Sequence, residues 1–245
     1  MNTKVLYHCL GVMGVILSTS TFSTGAIYEK TGFYAGIAAG ASYCNVGNFS
    51  EGGIKITDAA NDWYGARRNK ISTCGFDKNF DAFVGYIVHL PQEDWLAGIE
   101  FGIEKPFYKK NFYKALQANL EGAQINEDWQ YRNKTLYVAK LHAKIGKILS
   151  KKWFIYGLTG IDVNKTEFSM KPVDIEEINR KKCICGFAVG LGAEREISTN
   201  WHLGLELINT YYPAKTFEVA NQDFKGKQKI NANTLQVSLR LIYSF

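Results

Sequence analysis

The stretch that most constrains this chain is Leu235 to Phe245, which reads Leu-Gln-Val-Ser-Leu-Arg-Leu-Ile-Tyr-Ser-Phe. Leu235, Val237, Leu239, Leu241, Tyr243 and Phe245 share one parity, and Gln236, Ser238, Arg240, Ile242 and Ser244 the other. Successive strand residues point to opposite faces, so this alternation predicts a strand with one apolar face. That face needs cover, from a protein core or from lipid. The length suits a tilted strand crossing a hydrocarbon layer of roughly 30 Å, which takes about 9–11 residues. A soluble sandwich also contains such strands. It rarely leaves an aromatic residue at the very end, because termini fray in water.

The same alternation recurs through the chain. Gly32 to Tyr43 sets Phe33, Ala35, Ile37, Ala39, Ala41 and Tyr43 on one face, with Tyr34, Ala38, Ser42 and glycines on the other. Phe80 to Leu90 gives Phe80, Val84, Tyr86 and Val88 one parity. From Trp95, the residues Ile99, Phe101 and Ile103 alternate with Glu100 and Glu104. Between Thr135 and Ile148, Tyr137, Leu141 and Ile145 alternate with Lys140, His142 and Lys144. Cys183 to Arg195 and the run from Trp201 place Glu194 and Glu206 opposite leucines and valines. A run from Trp153 to Asp162 is a strand whose register stays open, since either Trp153 and Ile155 or Phe154, Tyr156 and Leu158 suit the apolar face.

These eight runs are joined alternately by short and long connections. Pro91 to Asp94, Ser150 to Lys152 and Ser198 to Asn200 are tight turns. Residues 45–78, 105–133, 163–182 and 210–229 are long polar stretches, expected to be loops. Trp95, Trp153 and Trp201 each open a strand directly after a short turn, which puts them at one depth as an aromatic girdle, with Tyr243 and Phe245 at the same end.

Composition fits strands: 14% of residues are aromatic, and there are 23 glycines and only 4 prolines. Lys4, the apolar run Val5 to Leu17 and the small residues up to Ala26 predict a signal peptide over 1–26, with the mature domain over 27–245. That apolar run is about 13 residues, too short to span a membrane as a helix. No later window supplies enough apolar residues, so membrane insertion must come from strands. The mean hydropathy of -0.17 is compatible with this, because half of each barrel strand faces a polar lumen.

The final strand ending in Phe245, and the Gly32-Phe33-Tyr34-Ala35-Gly36 opening soon after a signal peptide, resemble the outer-membrane β-barrel proteins of Gram-negative bacteria. The similarity is to the eight-stranded class that includes OmpA-type transmembrane domains and opacity-like surface proteins. It implies an all-β fold, an eight-stranded antiparallel up-and-down transmembrane β-barrel, in the cell outer membrane. It implies that Phe245 is the signal read by the barrel-assembly machinery. It also makes outer-membrane lipid and lipopolysaccharide the expected surroundings. A peptidoglycan-binding role is not expected to carry over, since no domain of that kind is expected after the last strand.

Barrel registers point Glu100, Glu104, Lys140, His142, Lys144, Glu194, Glu206 and Arg240 into the lumen. Charges of both signs in so narrow a space are expected to pair, because an unpaired buried charge is costly. The expected role is therefore structural, or adhesion and surface recognition of a host or cell-surface ligand through four long outer loops. The alternative is a small porin passing ions or small solutes. No catalytic constellation is apparent among the four histidines, so the chain is not expected to be an enzyme. No cofactor or metal site is expected, because Cys183-Ile184-Cys185 has no nearby histidine and the wrong spacing for zinc. An exported chain permits disulfides, and Cys44 and Cys74, which flank the first long stretch, are the candidate pair. Basic groups dispersed over exported loops exclude nucleic acid as an expected partner.

Overall fold

The computed structural model describes residues 31–55, 63–65, 69–91, 94–107, 109–120, 123–150, 152–171, 178–220 and 224–245. The expected signal peptide over 1–26 lies outside these residues. Ten strands are found among them: β1 (Gly32–Lys55), β2 (Trp63–Gly65), β3 (Asn69–His89), β4 (Trp95–Pro106), β5 (Lys109–Leu120), β6 (Ala123–Ser150), β7 (Trp153–Lys171), β8 (Ile178–Ser198), β9 (Trp201–Ala220) and β10 (Phe224–Ser244). Eight of them form the wall, in the order β1, β3, β4, β6, β7, β8, β9, β10, each antiparallel to the next. The wall closes because β10 pairs with β1, from Tyr34 opposite Ser244 to Ile54 opposite Phe224. Closure removes both sheet edges, so every wall strand has two hydrogen-bonded neighbours.

The alternation in the sequence fixes which face of each strand is which. Phe33, Ile37, Val84, Ile99, Phe101, Leu141, Ile161, Phe187 and Leu191 are exposed on the outside. Tyr34, Ala38, Phe83, Leu96 and Ile242, of the opposite parity, are buried inside. The register of β7 is settled: Phe154, Tyr156 and Leu158 are buried, while Ile155 and Ile161 are exposed. Bulky rings inside need matching gaps. Tyr34 lies over Gly85 and Tyr156 over Gly192, where an added Cβ would sit 2.3 Å from a ring carbon in each case.

The long polar stretches were expected to be loops, and this is corrected. β6 has 28 residues and β8 and β10 have 21 each, well beyond the crossing length. β5 pairs with the first half of β6, from Lys109 opposite Lys134 to Leu120 opposite Ala123, and so continues the β4–β6 pair outward. Pro106 ends β4, where a missing N–H removes a ladder bond. Outside the apolar layer a hairpin no longer needs one apolar face. Backbone pairing carries on while the alternation that reveals it in sequence disappears.

Candidate functional site

The lumen is built from side chains of the buried parity and falls into layers. At the short-turn end, Leu96, Phe154 and Ile242 are fully buried and Ile87 is nearly so, forming an apolar floor. Phe154 stacks on Tyr156 with ring centroids 5.0 Å apart. His202, the second residue of β9, is buried at this end, with Ser244 Oγ 3.1 Å from its Nε2.

Above the floor lies an ion-paired quartet. Arg240 bonds both Glu100 and Glu206. Lys144 Nζ donates to Glu100 Oε2 at 2.7 Å and to Glu206 Oε1 at 2.8 Å. Tyr156 Oη donates to Glu206 at 2.6 Å, and Tyr34 Oη to Glu100 at 3.0 Å. The Arg240 guanidinium lies 3.9 Å from the Phe83 ring centroid, and Lys144 Nζ lies 4.7 Å from that of Tyr156. Two carboxylates and two cations thus neutralise one another within a shell of aromatic rings. Glu194 is buried close to this layer.

The third layer is centred on Lys140. Its Nζ donates to Asp81 Oδ2 at 3.0 Å and Gln236 Oε1 at 3.1 Å, and pairs with Glu104. His142 Nε2 lies 2.8 Å from Asp162 Oδ1, and Thr210 Oγ1 donates to Asp162 Oδ2 at 2.7 Å. All eight lumen charges named from the sequence therefore lie inside the wall. Asp81, Asp162, Gln236 and the two tyrosine hydroxyls were not named. Asp81 and Asp162 carried a signal: each sits at a parity opposite apolar neighbours, and a carboxylate does not face lipid. Asp162 was lost because the register of its strand stayed open.

Toward the long hairpins the lumen opens into a cavity of about 70 Å³. Asp77, Glu104 and Asp162 bring carboxylates to its wall, with Thr166, Thr210 and Tyr212 among the polar groups. The quartet and the apolar floor lie between this cavity and the short-turn end.

The girdle residues stand at the short-turn rim. Trp95, Trp201 and Phe245 are exposed, Tyr243 is opposite Trp201 in register, and their rings meet at 5.1 Å. Trp153 is half-buried, with the Arg195 guanidinium 5.5 Å from its ring. Phe245 N donates to Phe33 O at 3.0 Å, so the last residue is tied to the first strand. The expected Cys44–Cys74 bridge is corrected. The register sets Cys44 opposite Gly75 while Cys74 is opposite Asn45. One residue out of register puts two positions on opposite faces of a sheet. Cys183 and Cys185 are free cysteines on the outer face. No group of three or more His, Cys, Asp or Glu residues arranged to hold a metal occurs among the described residues.

A closed antiparallel sheet, apolar outside, charged inside and ringed by aromatic residues at one rim, defines a transmembrane β-barrel of the bacterial outer-membrane type. No family model and no curated protein matches the sequence. Among solved structures, the chain is similar to the outer membrane protease OmpT from Escherichia coli, at 9% identity and a TM-score of 0.48, over 93% of this chain and 100% of that one. It is similar to the outer membrane protein OprG from Pseudomonas aeruginosa, at 12% identity and a TM-score of 0.41, over 90% and 100%. It is also similar to Neisserial surface protein A, at 14% identity and a TM-score of 0.40, over 88% and 98%. Likeness at such identities concerns the fold alone.

Proposed function

We propose that this chain is a surface protein of the outer membrane whose barrel is a sealed anchor and whose activity is recognition by the long hairpins. The observation that carries the reading is the division of the molecule. Its lumen is filled by the quartet and closed by the apolar floor, whereas its strands continue far past the apolar layer on one side only. A barrel of this size has an interior just wide enough for side chains to fill. The porin alternative needs a water path, and the buried pairs and the floor stand across it. Catalysis is not part of the reading: His142 and Asp162 bond each other deep in the wall, and His202 is buried at the short-turn end.

The test is adhesion. A laboratory strain displaying the full chain is compared with one displaying a variant in which residues 109–134 are replaced by a tight turn. The full chain is expected to raise binding to cultured cell monolayers or immobilised acidic glycans, and the shortened chain to insert normally but lose that gain. Equal binding by the two strains would reject the hairpins as the recognition surface.

A further inference from the structure

Between β8 and β9 the ladder runs from the short turn only as far as Phe187 opposite Tyr211. Beyond that pair no β8–β9 register continues among the described residues, although both strands go on. β8 stays beside β7 to Ile178 opposite Met170, and β9 stays beside β10 to Ala220 opposite Lys225. Pro213 explains the break, because it has no N–H to give a ladder. β9 also bulges there: Tyr212 is opposite Ala232 and Lys215 opposite Ile230, so Pro213 and Ala214 together face Asn231. A bulge bends its strand and disrupts regular pairing.

The break leaves a seam with a strand edge on each side. At its base the Tyr212 ring packs on Gly186, where an added Cβ would lie 2.6 Å from a ring carbon. Toward the hairpins, side chains replace the ladder. Lys215 Nζ donates to Cys183 O at 3.2 Å, and Lys182 Nζ donates to Thr216 O at 3.0 Å. Each lysine thus crosses to a main-chain carbonyl of the other strand. Ile184 and Tyr212 line the lumen cavity, so the seam flanks that cavity. Over residues 178–186 and 212–220 the two edges carry Arg180, Lys181, Lys182 and Lys215 against Glu218. Arg180, Lys181 and Lys215 are exposed.

We infer that this seam takes up an extended acidic segment of a partner protein, which adds to the β8 edge as a further strand. The inference rests on the reading of the hairpin side as the recognition surface. Main-chain acceptors such as Cys183 O offer pairing that an extended chain can use, and the cations select its charge. A lysine–carbonyl bond at an exposed edge exchanges for a ladder bond and a lysine–carboxylate pair. Alternation divides the incoming strand. Residues level with Lys181 and Lys215 face outward and suit carboxylates, whereas those level with Ile184 and Tyr212 face inward and suit apolar side chains.

The probe is a fluorescent peptide alternating glutamate and valine, about eight residues long. It is added to the folded full chain in phosphatidylcholine nanodiscs and followed by anisotropy, and a benzophenone at its centre maps contacts by mass spectrometry. Saturable binding is expected, with cross-links to residues 178–186 or 212–220. The same peptide N-methylated at alternate amides keeps its charge but loses main-chain donors, and its affinity should fall at least about tenfold. The triple variant Arg180→Gln, Lys181→Gln, Lys182→Gln should also bind about tenfold more weakly, while Lys147→Gln at the other rim leaves binding unchanged. Equal binding of the methylated peptide overturns strand addition in favour of a simple polyanion site. Cross-links confined to other residues, equal binding by the triple variant, or no binding to a folded chain overturns the seam. The adhesion comparison replaces residues 109–134 and leaves β8 and β9 intact, so the two readings fail separately. Adhesion without peptide binding rejects the seam alone, and equal adhesion by the two strains rejects the hairpin reading.

Discussion

Arg240 carries a full charge at 1% exposure, flanked by Glu100 and Glu206, with Lys144 bridging the same two carboxylates. Removing one member of such a group leaves a buried charge without compensation, which costs about 3–5 kcal/mol, whereas replacing all members with apolar residues of similar size is often close to neutral. Arg240→Met is therefore expected to destabilise the refolded barrel by about that amount in urea unfolding followed by tryptophan fluorescence. The fourfold variant Arg240→Met, Lys144→Met, Glu100→Leu, Glu206→Leu should recover most of the loss. A single variant as stable as wild type would mean that the pairs do not form. At this scale the sequence was informative about the charged residues and silent about their partners. Parity puts Arg240, Glu206 and Lys144 on one side of the wall, but which carboxylate meets which cation depends on how far each strand slides past the next. Tyr34 and Tyr156 could not be read as partners, because their parity alone serves equally well for packing.

Strand identity was legible wherever a strand crosses the apolar layer. There one face must be apolar and the other must not, and the parities of β1, β4, β6, β8, β9 and β10 follow directly. The fifth run was not legible, since Trp153, Phe154, Ile155 and Tyr156 are apolar or aromatic at both parities, and only Asp162 breaks the tie. Strand ends were misplaced for a different reason: past the layer both faces are polar, so β5 and the far ends of β6 and β10 looked like loops. At the other end the final strand finishes within the wall. Phe245 reaches Phe33 O through its own N–H, and its ring lies 5.2 Å from that of Tyr243. Phe245→Ala keeps the backbone bond and loses the ring. Its expected effect is a clear fall in the amount of folded protein in the outer membrane, by fractionation and heat-modifiable mobility, with little change in the stability of molecules that do fold. Normal surface levels would remove Phe245 as an assembly signal.

The whole molecule combines a wall satisfied in lipid with an interior satisfied by itself. Its apolar outer band and closed ladder place it across a membrane, and its long hairpins lie on one side of that band. The interior ends in a cavity that is open toward the hairpins and stopped by Lys140, the quartet and the floor. Sealing is the central claim, because it separates an anchor for a recognition surface from a pore. The measurement that tests it most directly is single-channel recording of the refolded full barrel in a planar bilayer, with folding verified on the same sample. A silent membrane is expected across the whole range of applied voltage. Reproducible conductance steps that change when Glu100, Lys140 or Arg240 is neutralised would contradict it and make the lumen a water path.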